Sequence, residues 1–437
     1  MIPSPRLYLL LLLGIPLASL LSIFFGNQIS IITILVADLL LLGLGFWDAQ
    51  QVKVHRVSVK RHPINKLSLG RDNTIVLSVA SGNQPATITI KDYYPLQLPA
   101  KTGTISATIP ANTTKELTYT IFPQQRGEFS WGNIQVRQLG NWGLAGYDWQ
   151  ISAPETGKVY PDLVALRSLS IRLALENSGT MRQAQRWGIG TEFTELREYA
   201  LGDDPRLMDW KATARRSRPL VRVLEPEKEQ TLIILLDRGR LMTAQVQGMK
   251  RFDWGLNATL SLALAGLSRG DRVGVGIFDK EVTTWIPPER GQHNLGKLIE
   301  RLTPIQPVLL ESDYFGAVTK LVTQQTRRAL VVLITDLVDR TASTELLSAM
   351  TRLTPRYLPF CVALRDPNVD QLAHHQDTEI NLETAYRRSV ALDLLSQRQV
   401  VFARLQKQGV LVLDAPVNQI SDKLVERYLC LKAKNLL

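Results

Sequence analysis

The chain has 437 residues, of which 45% are hydrophobic and 21% are charged, a composition typical of a folded protein that is too long for a single ordinary core. Its net charge of +11 is spread along the chain: 1–160 contribute 13 − 8 = +5, 161–230 contribute 12 − 11 = +1, and 231–437 contribute 26 − 21 = +5. This spread argues against a nucleic-acid binder with one basic stripe, and two distant cysteines exclude a disulfide framework.

Two long apolar runs occupy the first fifty residues. Residues 7–25 carry no charge and residues 29–47 carry only Asp38. Each run is close to the ~20 residues that a helix needs to cross a bilayer, and a three-residue polar turn separates them. We therefore predict that residues 1–50 form a transmembrane helical hairpin. A cleavable signal peptide is the alternative for the first run, but no clear cleavage site separates it from the second.

Lysine and arginine lie only at the outer ends of the two apolar runs. Arg6 precedes the first run, a basic stretch follows the second, and the turn between them carries no charge. The positive-inside rule then predicts a multi-pass plasma-membrane protein with both termini and all soluble domains in the cytosol. The basic stretch could also contact anionic lipid headgroups through Lys53, Arg56, Lys60 and Arg61, or it could serve only to set the topology.

Residues 51–150 show the alternation of apolar and polar side chains that is typical of β-strands. Segments such as "NTIVLSVA" and "ELTYTIF" alternate with period two and are separated by turns rich in glycine, proline and asparagine. Short, evenly spaced strands of this kind predict a small β-sandwich. None of its residues suggests catalysis, so we interpret it as a spacer or docking module.

Residues 151–229 are predicted to be a linker that carries an unusually charged segment. The stretch "GTEFTELREYALGDDPRLMDWKATARRSRPLVRV", residues 190–223, contains six acidic and seven basic residues in thirty-four. Near balance of the two signs suits an internal ion-pair lattice that clamps the segment onto a neighbouring sheet. The alternative is that part of the segment faces a partner protein.

Turn chemistry suggests how such a lattice would be built. Gly202 permits a left-handed turn whose amides Asp203 and Asp204 can bind, and arginine can bind carboxylates through two parallel hydrogen bonds. The expected lattice has five members: Arg197, Asp203, Asp204, Arg206 and Asp209. Two aromatic side chains are expected to act as apolar anchors: Tyr199 and Trp210.

Residues 230–437 alternate continuous apolar runs with helical segments. Runs such as "TLIILLD", "RVGVGIF" and "ALVVLITD" are typical of strands buried on both faces. Strand and helix in alternation predict a doubly wound α/β sheet whose ligands sit at the carboxyl ends of the strands. Two of the runs end there in aspartate, Asp237 and Asp336.

This arrangement resembles the von Willebrand factor A domain, in which a D-x-S-x-S turn, a threonine and a later aspartate hold a divalent cation. In this chain Gly239 and Leu241 replace both serines of the turn. Asp237, Ser312 and Asp336 are the remaining candidate ligands. A hard cation takes about six oxygens, so these three side chains would make only a weak divalent-cation site unless water filled the remaining positions. We expect no cofactor and interpret the site as degenerate, with carboxylates that pair with arginine in place of the ion.

The charged segment itself resembles the signature of the family called domain of unknown function fifty-eight, as does "RGEFSWGNIQVRQLGNWGLAGYDW" upstream of it. The resemblance implies two membrane helices, a sandwich, the signature and an A-type sheet. It also implies a MoxR-type AAA+ ATPase partner, since such ATPases are typically encoded beside family members. The implied signature or partner-binding residues are Arg197, Tyr199, Gly202, Asp203, Asp204, Arg206, Asp209, Trp210 and Arg215.

We therefore expect a membrane-anchored cytosolic adaptor, not an enzyme, that works with such an ATPase in assembly or remodelling of a partner. The alternative is a membrane-bound hydrolase that uses Asp203, Asp204 or Asp209 as acid or base; catalytic carboxylates would line a cleft with raised pKa values. No phosphate-binding loop, nucleophile elbow or zinc-protease motif occurs. The one histidine cluster, His374 and His375 beside Asp377, is interpreted as an exposed helix end.

Overall fold

The computed structural model describes residues 2–25, 27–184, 192–200, 202–225, 230–337, 340–374 and 382–434. The chain divides into two compact units, Met1–Tyr160 and Pro161–Leu437. This confirms the predicted multidomain organisation.

The first unit begins with two consecutive helices, α1 (Pro5–Phe25) and α2 (Asn27–Val54). In α2, the span Ile31–Val54 has a mean hydropathy of 2.0 and is long and apolar enough to cross a membrane. Signal sequences and the core helices of soluble proteins meet the same criteria of length and composition. The two helices touch, because a β-carbon on Gly14 would lie 3.4 Å from Asp38 Oδ1.

Eleven strands belong to the described part of this unit. They are β1 (Ile2–Pro3), β2 (Ser58–Arg61), β3 (Leu67–Ser68), β4 (Asn73–Ala80), β5 (Ala86–Asp92), β6 (Ile105–Ile109), β7 (Thr114–Ile121), β8 (Gly127–Trp131), β9 (Ile134–Leu139), β10 (Ala145–Ile151) and β11 (Glu155–Tyr160). One sheet has the order β1-β10-β9-β5-β6, and two three-stranded sheets have the orders β2-β4-β7 and β3-β11-β8.

Alternating burial explains why these segments form strands. In β5 the side chains of Ile88 and Ile90 are buried while their neighbours are exposed or half-buried, as the period-two pattern predicts. The observed limits differ from the predicted 51–150. Residues 51–54 extend α2, and pairing with β3 and β8 brings the strand 155–160 into this unit.

A buried polar network links strands of all three sheets. The guanidinium of Arg61 donates to both oxygens of Asp92, Tyr119 donates to Asp92 Oδ2 at 2.8 Å, and Trp131 Nε1 donates to the Tyr119 hydroxyl at 3.2 Å. Burial, followed by the Asp92 charge, raises the pKa of Tyr119. The Arg61 side chain is only 2% exposed. The predicted lipid contact through Arg61 is therefore wrong, because this guanidinium neutralises a buried carboxylate.

Nine helices and ten strands form the described part of the second unit. The helices are α3 (Leu163–Ala184), α4 (Trp210–Arg216), α5 (Arg251–Ser268), α6 (His293–Leu302), α7 (Tyr314–Gln324), α8 (Arg340–Thr351), α9 (Pro367–His374), α10 (Leu382–Lys407) and α11 (Ile420–Ala433). The strands are β12 (Glu192–Glu198), β13 (Leu220–Glu225), β14 (Thr231–Asp237), β15 (Gln245–Val246), β16 (Met249–Lys250), β17 (Arg272–Phe278), β18 (Val282–Glu289), β19 (Leu330–Thr335), β20 (Leu358–Arg365) and β21 (Leu411–Pro416).

The main sheet of this unit has the order β18-β17-β14-β19-β20-β21. Five strands are parallel, and only the edge strand β18 is antiparallel to its neighbour. Helices cover both faces: α5 and α11 pack on one, and α7 and α8 on the other. Because β14 and β19 are buried on both sides, their sequences are the continuous apolar runs from which the doubly wound sheet was predicted.

The predicted linker contains a helix that belongs to the second unit. In α3, Leu166, Leu169 and Leu173 follow helical spacing and are buried in the same core as α5. The rest of the segment includes the two-stranded antiparallel sheet of β12 and β13. Part of the predicted linker, α3, is therefore packed into this unit, because its apolar stripe is buried against the core that includes α5.

Candidate functional site

The sheet order reverses direction at its centre. The chain runs from β14 outward to β17 and β18 on one side, and β19 then pairs with the opposite side of β14. Loops diverge at such a switch point, and open α/β sheets bind ligands in the crevice that this leaves at the carboxyl ends. Asp237 ends β14 and Thr335 ends β19. These residues define the first candidate site.

Asp237 is the centre of a buried hydrogen-bond network. Its Oδ1 atom accepts from the Ser312 hydroxyl at 2.5 Å and from the Gly239 amide at 2.7 Å. Its Oδ2 atom accepts from the Thr335 hydroxyl at 2.7 Å and from the Tyr314 hydroxyl at 3.2 Å. The carboxylate therefore has four donors from the protein itself, and only 1% of the residue is exposed.

Burial controls the protonation of this network. It raises the pKa of the Asp237 carboxyl, although the hydrogen bonds from Ser312, Thr335, Gly239 and Tyr314 favour the charged form. Burial, followed by the Asp237 charge, also raises the pKa of the Tyr314 hydroxyl, so Tyr314 acts as a neutral donor.

Gly239 and Ser312 fit together at this site. A β-carbon on Gly239 would overlap the Ser312 hydroxyl oxygen and would lie 2.8 Å from the Leu310 carbonyl oxygen. The backbone of Gly239 has an ordinary φ of −71°, so space, not backbone conformation, is what a side chain would lack here. Glycine replaces the first serine of the D-x-S-x-S turn at position 239 because the Ser312 hydroxyl occupies the space that a side chain there would need.

Asp336 lies next to Thr335 but has different partners. Its Oδ1 atom is 2.8 Å from a terminal nitrogen of Arg398, and its Oδ2 atom is 2.7 Å from one of Arg251. Arg398 also reaches Asp414 Oδ1 at 3.0 Å. Burial works against the charge of Arg398, but Asp336 and Asp414 outweigh it and raise the pKa of the guanidinium.

Of the three predicted metal ligands, Asp237 and Ser312 lie together in the structure, and Asp336 has other partners. Asp237 and Ser312 are hydrogen-bonded, whereas Asp336 forms ion pairs with two arginines. Among the described residues, no group of three His, Cys, Asp or Glu side chains could hold a metal ion. The structure thus gives Asp336 the arginine pairing that was expected of a degenerate site, while Asp237 is bound by hydroxyl groups.

Sequence reasoning missed four residues of this site: Tyr314, Thr335, Arg251 and Arg398. Thr335 was detectable, since it ends an apolar strand directly before Asp336. The arginines were not, because Arg398, for example, lies 62 positions from its partner Asp336 and within a different element, α10. In the histidine cluster, His374 Nδ1 is 2.9 Å from the Asp370 carbonyl oxygen. His375 and Asp377 lie outside the described residues.

A groove runs from Ser312 across the neighbouring helices. It consists of two open cavities of about 470 and 800 Å³, which share Phe315, Thr344 and Ser348. Phe315 belongs to α7 and is 48% exposed. The Arg352 guanidinium lies 4.8 Å from its ring centre, within cation–π distance. We call these two cavities together the two-part groove.

The two halves of the groove carry opposite charge. Three carboxylates and one ammonium line the half near Ser312, which gives 1 − 3 = −2 among the described side chains: Lys280, Glu311, Asp313 and Glu345. Among the residues that the structure describes, three cations and no carboxylate line the other half: Arg352, Arg404 and Lys407. One acidic charge is partly compensated, since Arg240 lies 2.7 Å from Glu311. A ligand of matching polarity would carry a basic part and an acidic part.

The charged signature forms an exposed surface of its own. Arg197 donates to Asp203 Oδ1 at 2.5 Å, and Arg222 binds Asp209 Oδ2 through two nitrogens, each at 2.8 Å. The two arginine side chains are 45% and 53% exposed. Hydrogen bonds from Arg197 and the Ala200 amide lower the pKa of Asp203, and those from the Ala212 amide and Arg222 lower the pKa of Asp209.

The expected single lattice is therefore not what the structure shows. Asp203 and Asp209 have separate arginine partners, and one of these, Arg222, was not among the predicted members. Asp204 accepts from the Arg206 amide at 2.9 Å and so caps a short helical turn. The lattice prediction failed because each carboxylate also binds a backbone amide close in sequence, which keeps the pairs local.

The other signature residues lie on the same exposed segment. Gly202 has a φ of +107°, so it adopts the left-handed conformation that the sequence predicted. Tyr199 is half-buried, and Arg215 is exposed in the last turn of α4. Trp210 is 70% exposed and so is not the buried anchor that was expected.

The fold and these contacts define the class of the second unit: a doubly wound α/β unit with a closed carboxylate network at its switch point. A model of the family described as "Protein of unknown function DUF58" matches residues 195–398. Uncharacterized proteins of Mycobacterium bovis and Mycobacterium tuberculosis are each 27% identical over 178 residues. The match covers 39% of this chain and 56% of each relative, so the chain spans about half the length of the curated relatives it matches.

Similar solved structures include the conserved hypothetical protein BatB from Bacteroides thetaiotaomicron. It is 15% identical over 47% of this chain and 99% of its own, with a TM-score of 0.30. A PapD-like domain of human CEP192 is 11% identical over 24% of this chain and 87% of its own, with a TM-score of 0.19. TM-scores this low support no argument about fold or function.

Proposed function

We propose that this chain is a membrane-anchored cytosolic adaptor, held by a hairpin of α1 and α2, whose von Willebrand factor A-like unit docks a MoxR-type AAA+ ATPase. The observation that carries the proposal is the two-part groove with its opposite charges. A groove of this kind suits a protein segment better than a small molecule. Pockets for small molecules are mostly enclosed and apolar with a few polar groups, whereas charge complementarity orients protein partners.

The network at the switch point supports an adaptor rather than an enzyme. A metal-dependent or acid–base site would leave a carboxylate oxygen available to a ligand. Both oxygens of Asp237 are bound by protein donors, and both oxygens of Asp336 are bound by arginines. The network therefore stabilises the loops that frame the groove, and the groove itself supplies the binding surface.

The hydrolase alternative receives less support. It requires carboxylates that line a cleft and have raised pKa values. Asp203 and Asp209 have lowered pKa values and arginine partners, and Asp204 caps a helical turn. Ionised, paired carboxylates on an exposed surface are poor proton donors, but they are suited to electrostatic recognition.

Charge reversal in the basic half of the groove tests the proposal. Full-length protein in detergent would be mixed with a purified MoxR-type ATPase from the same genome, with and without ATP, and the dissociation constant measured. We expect the Arg404→Glu, Lys407→Glu double variant to weaken binding at least tenfold, since reversed charges at a complementary interface repel. Lys423→Glu, on the exposed face of α11 away from the groove, makes the same kind of change and should bind like wild type.

Two results would refute this assignment. Equal binding by the wild type and the groove variant would remove the groove from the interface. A loss with Lys423→Glu as large as that of the groove variant would show that only net charge matters. If instead Trp210→Ala abolishes binding and the groove variant does not, the signature surface is the docking site.

A further inference from the structure

The end of α2 is bound tightly to one loop of the sheet-rich unit. Asp48 is 2% exposed, and its carboxylate accepts backbone N–H groups of Trp142, Leu144 and Ala145 at 3.3, 3.1 and 3.4 Å. Gly140 makes this approach possible, because a β-carbon there would overlap the carboxylate. A buried carboxylate with three amide donors fixes the position of this loop relative to α2.

Residues at the start of α1 contact the same loop. Ser4 donates its hydroxyl to the Gly143 carbonyl oxygen at 2.5 Å, and its amide donates to the Leu144 carbonyl oxygen at 2.9 Å. A β-carbon on Gly143 would lie 3.1 Å from a terminal nitrogen of Arg6, so that arginine also approaches the loop. The loop of residues 140–143 therefore contacts both the beginning of α1 and the end of α2.

Exposed aromatic side chains surround this junction. The rings of Trp47 and Trp142 are 4.9 Å apart, and the two residues remain 50% and 48% exposed. Tyr8, in the first turn of α1, is 58% exposed. The loop "GNWG" carries no charge. Tryptophan and tyrosine are enriched where a membrane meets water, because their rings are apolar and their N–H or O–H groups are polar.

The position of this aromatic group along the helices indicates what covers it. Trp47 follows the apolar residues of α2 directly, and Lys53 is exposed less than two turns later. An apolar run, then aromatic residues, then a cation is the order found from the bilayer core to the headgroups. Arg56, two residues beyond α2, is also exposed, and its guanidinium lies 5.0 Å from the ring centre of Tyr147 and 5.5 Å from that of Trp149.

We propose that the loop of residues 140–143 is a membrane-interface anchor, with Trp142 inserted beside Trp47 at the boundary between headgroups and acyl chains. The sheet-rich unit would then be seated directly on the lipid surface instead of being tethered above it. This inference rests on the proposed membrane anchoring by α2. It adds a second contact with the bilayer, made by a part of the sequence that is not helical.

Depth-dependent fluorescence quenching tests the anchor. Single cysteines carrying an environment-sensitive fluorophore would be placed at Trp142, at Leu39 within the apolar run of α2, and at Leu96, in a background with Cys361→Ala and Cys430→Ala. Leu96 is 96% exposed and lies at the far end of the same sheet, since β5 pairs with β9 from Thr87↔Leu139 to Asp92↔Ile134. The full chain would be reconstituted into vesicles with nitroxide labels on lipids, either near the headgroup or deep in the acyl chain.

We expect the probe at 142 to lose more fluorescence with the shallow nitroxide than with the deep one. The probe at 39 should show the opposite order, and the probe at 96 should lose none. If the probe at 39 is quenched and the probe at 142 behaves like that at 96, α2 enters the membrane and the anchor is wrong. If the probe at 39 is not quenched by either label, the membrane anchoring itself fails, and the anchor with it.

Discussion

Single residues determine whether the switch point can accept an ion. Asp237 resembles the first aspartate of a cation-binding turn, but its oxygens are bound by Ser312, Gly239, Thr335 and Tyr314. A hard cation needs about six oxygen ligands with lone pairs directed at it. Here the hydroxyl groups instead donate hydrogen bonds to the carboxylate, which offset part of the effect of its burial.

Gly239→Ala tests the fit between Gly239 and Ser312. We expect a loss of about 1–3 kcal/mol in the free energy of unfolding, because the new β-carbon overlaps the Ser312 hydroxyl in a packed site. Chemical unfolding of the full chain in detergent measures this. Gly296→Ala is the matched control, since no atom lies within 4 Å of a β-carbon there, and alanine in a helix should be neutral or stabilising.

A second substitution shows which contact causes the loss of stability in the Gly239→Ala variant. Ser312→Ala removes the hydroxyl that Gly239 accommodates, so the double variant should lose less stability than the sum of the two single variants. Additive losses would mean that the Leu310 carbonyl group, not Ser312, limits the space at position 239.

At the scale of elements, the charged signature is an exposed connection between β12 and β13. Its carboxylates act as caps: Asp204 begins a helical turn, and Asp209 begins α4 by accepting from the Ala212 amide at 3.0 Å. Asp209 also binds Arg222 of β13. One side chain therefore positions α4 and joins it to the neighbouring strand.

Two substitutions of Asp209 separate these two roles. Asp209→Asn keeps an oxygen that can cap α4 but loses the charge paired with Arg222, whereas Asp209→Ala loses both interactions. We expect the alanine variant to melt at a clearly lower temperature than the asparagine variant, which should stay near wild type, because exposed ion pairs contribute little and caps contribute more. Equal melting of the two variants, both well below wild type, would mean that the ion pair dominates.

At the scale of the whole molecule, the adaptor proposal depends on which side of the membrane the soluble units occupy. Basic residues at the start of α1 and after α2, and an uncharged turn between the two, predict that both ends face the cytosol. In this orientation, exposed basic side chains such as Lys53 lie on the cytosolic side of the membrane.

Reporter fusions after Leu437 test this orientation. A reporter that is active only in the cytosol should be active, and one that is active only after export should be silent, because two crossings return the chain to its starting side. A fusion at Gln28, at the start of α2, that truncates the chain there should give the reverse pattern and serves as the control. An active exported reporter at the carboxyl terminus would contradict the cytosolic adaptor.

Local pattern alone predicted the elements that are buried on defined faces. The strands 231–237 and 272–278 were predicted to the residue, because parallel strands covered on both sides must be apolar throughout. The left-handed turn at Gly202 was also predictable, since glycine adopts positive φ at little cost. These features depend on neighbours within a few positions, which the sequence displays directly.

Tertiary structure alone decided which polar groups meet. Ser312 reaches Asp237 across 75 positions, and Arg61 pairs with Asp92 although its place in a basic run suggested a lipid contact. The hydrogen bond from the Ala145 amide to the Asp48 carboxylate joins residues 97 positions apart. The residues next to a charged or hydroxyl side chain in the sequence do not show whether that side chain will be solvated or paired. When the side chain is buried it loses its hydrogen bonds to water, and the packing of distant elements determines which protein group replaces them.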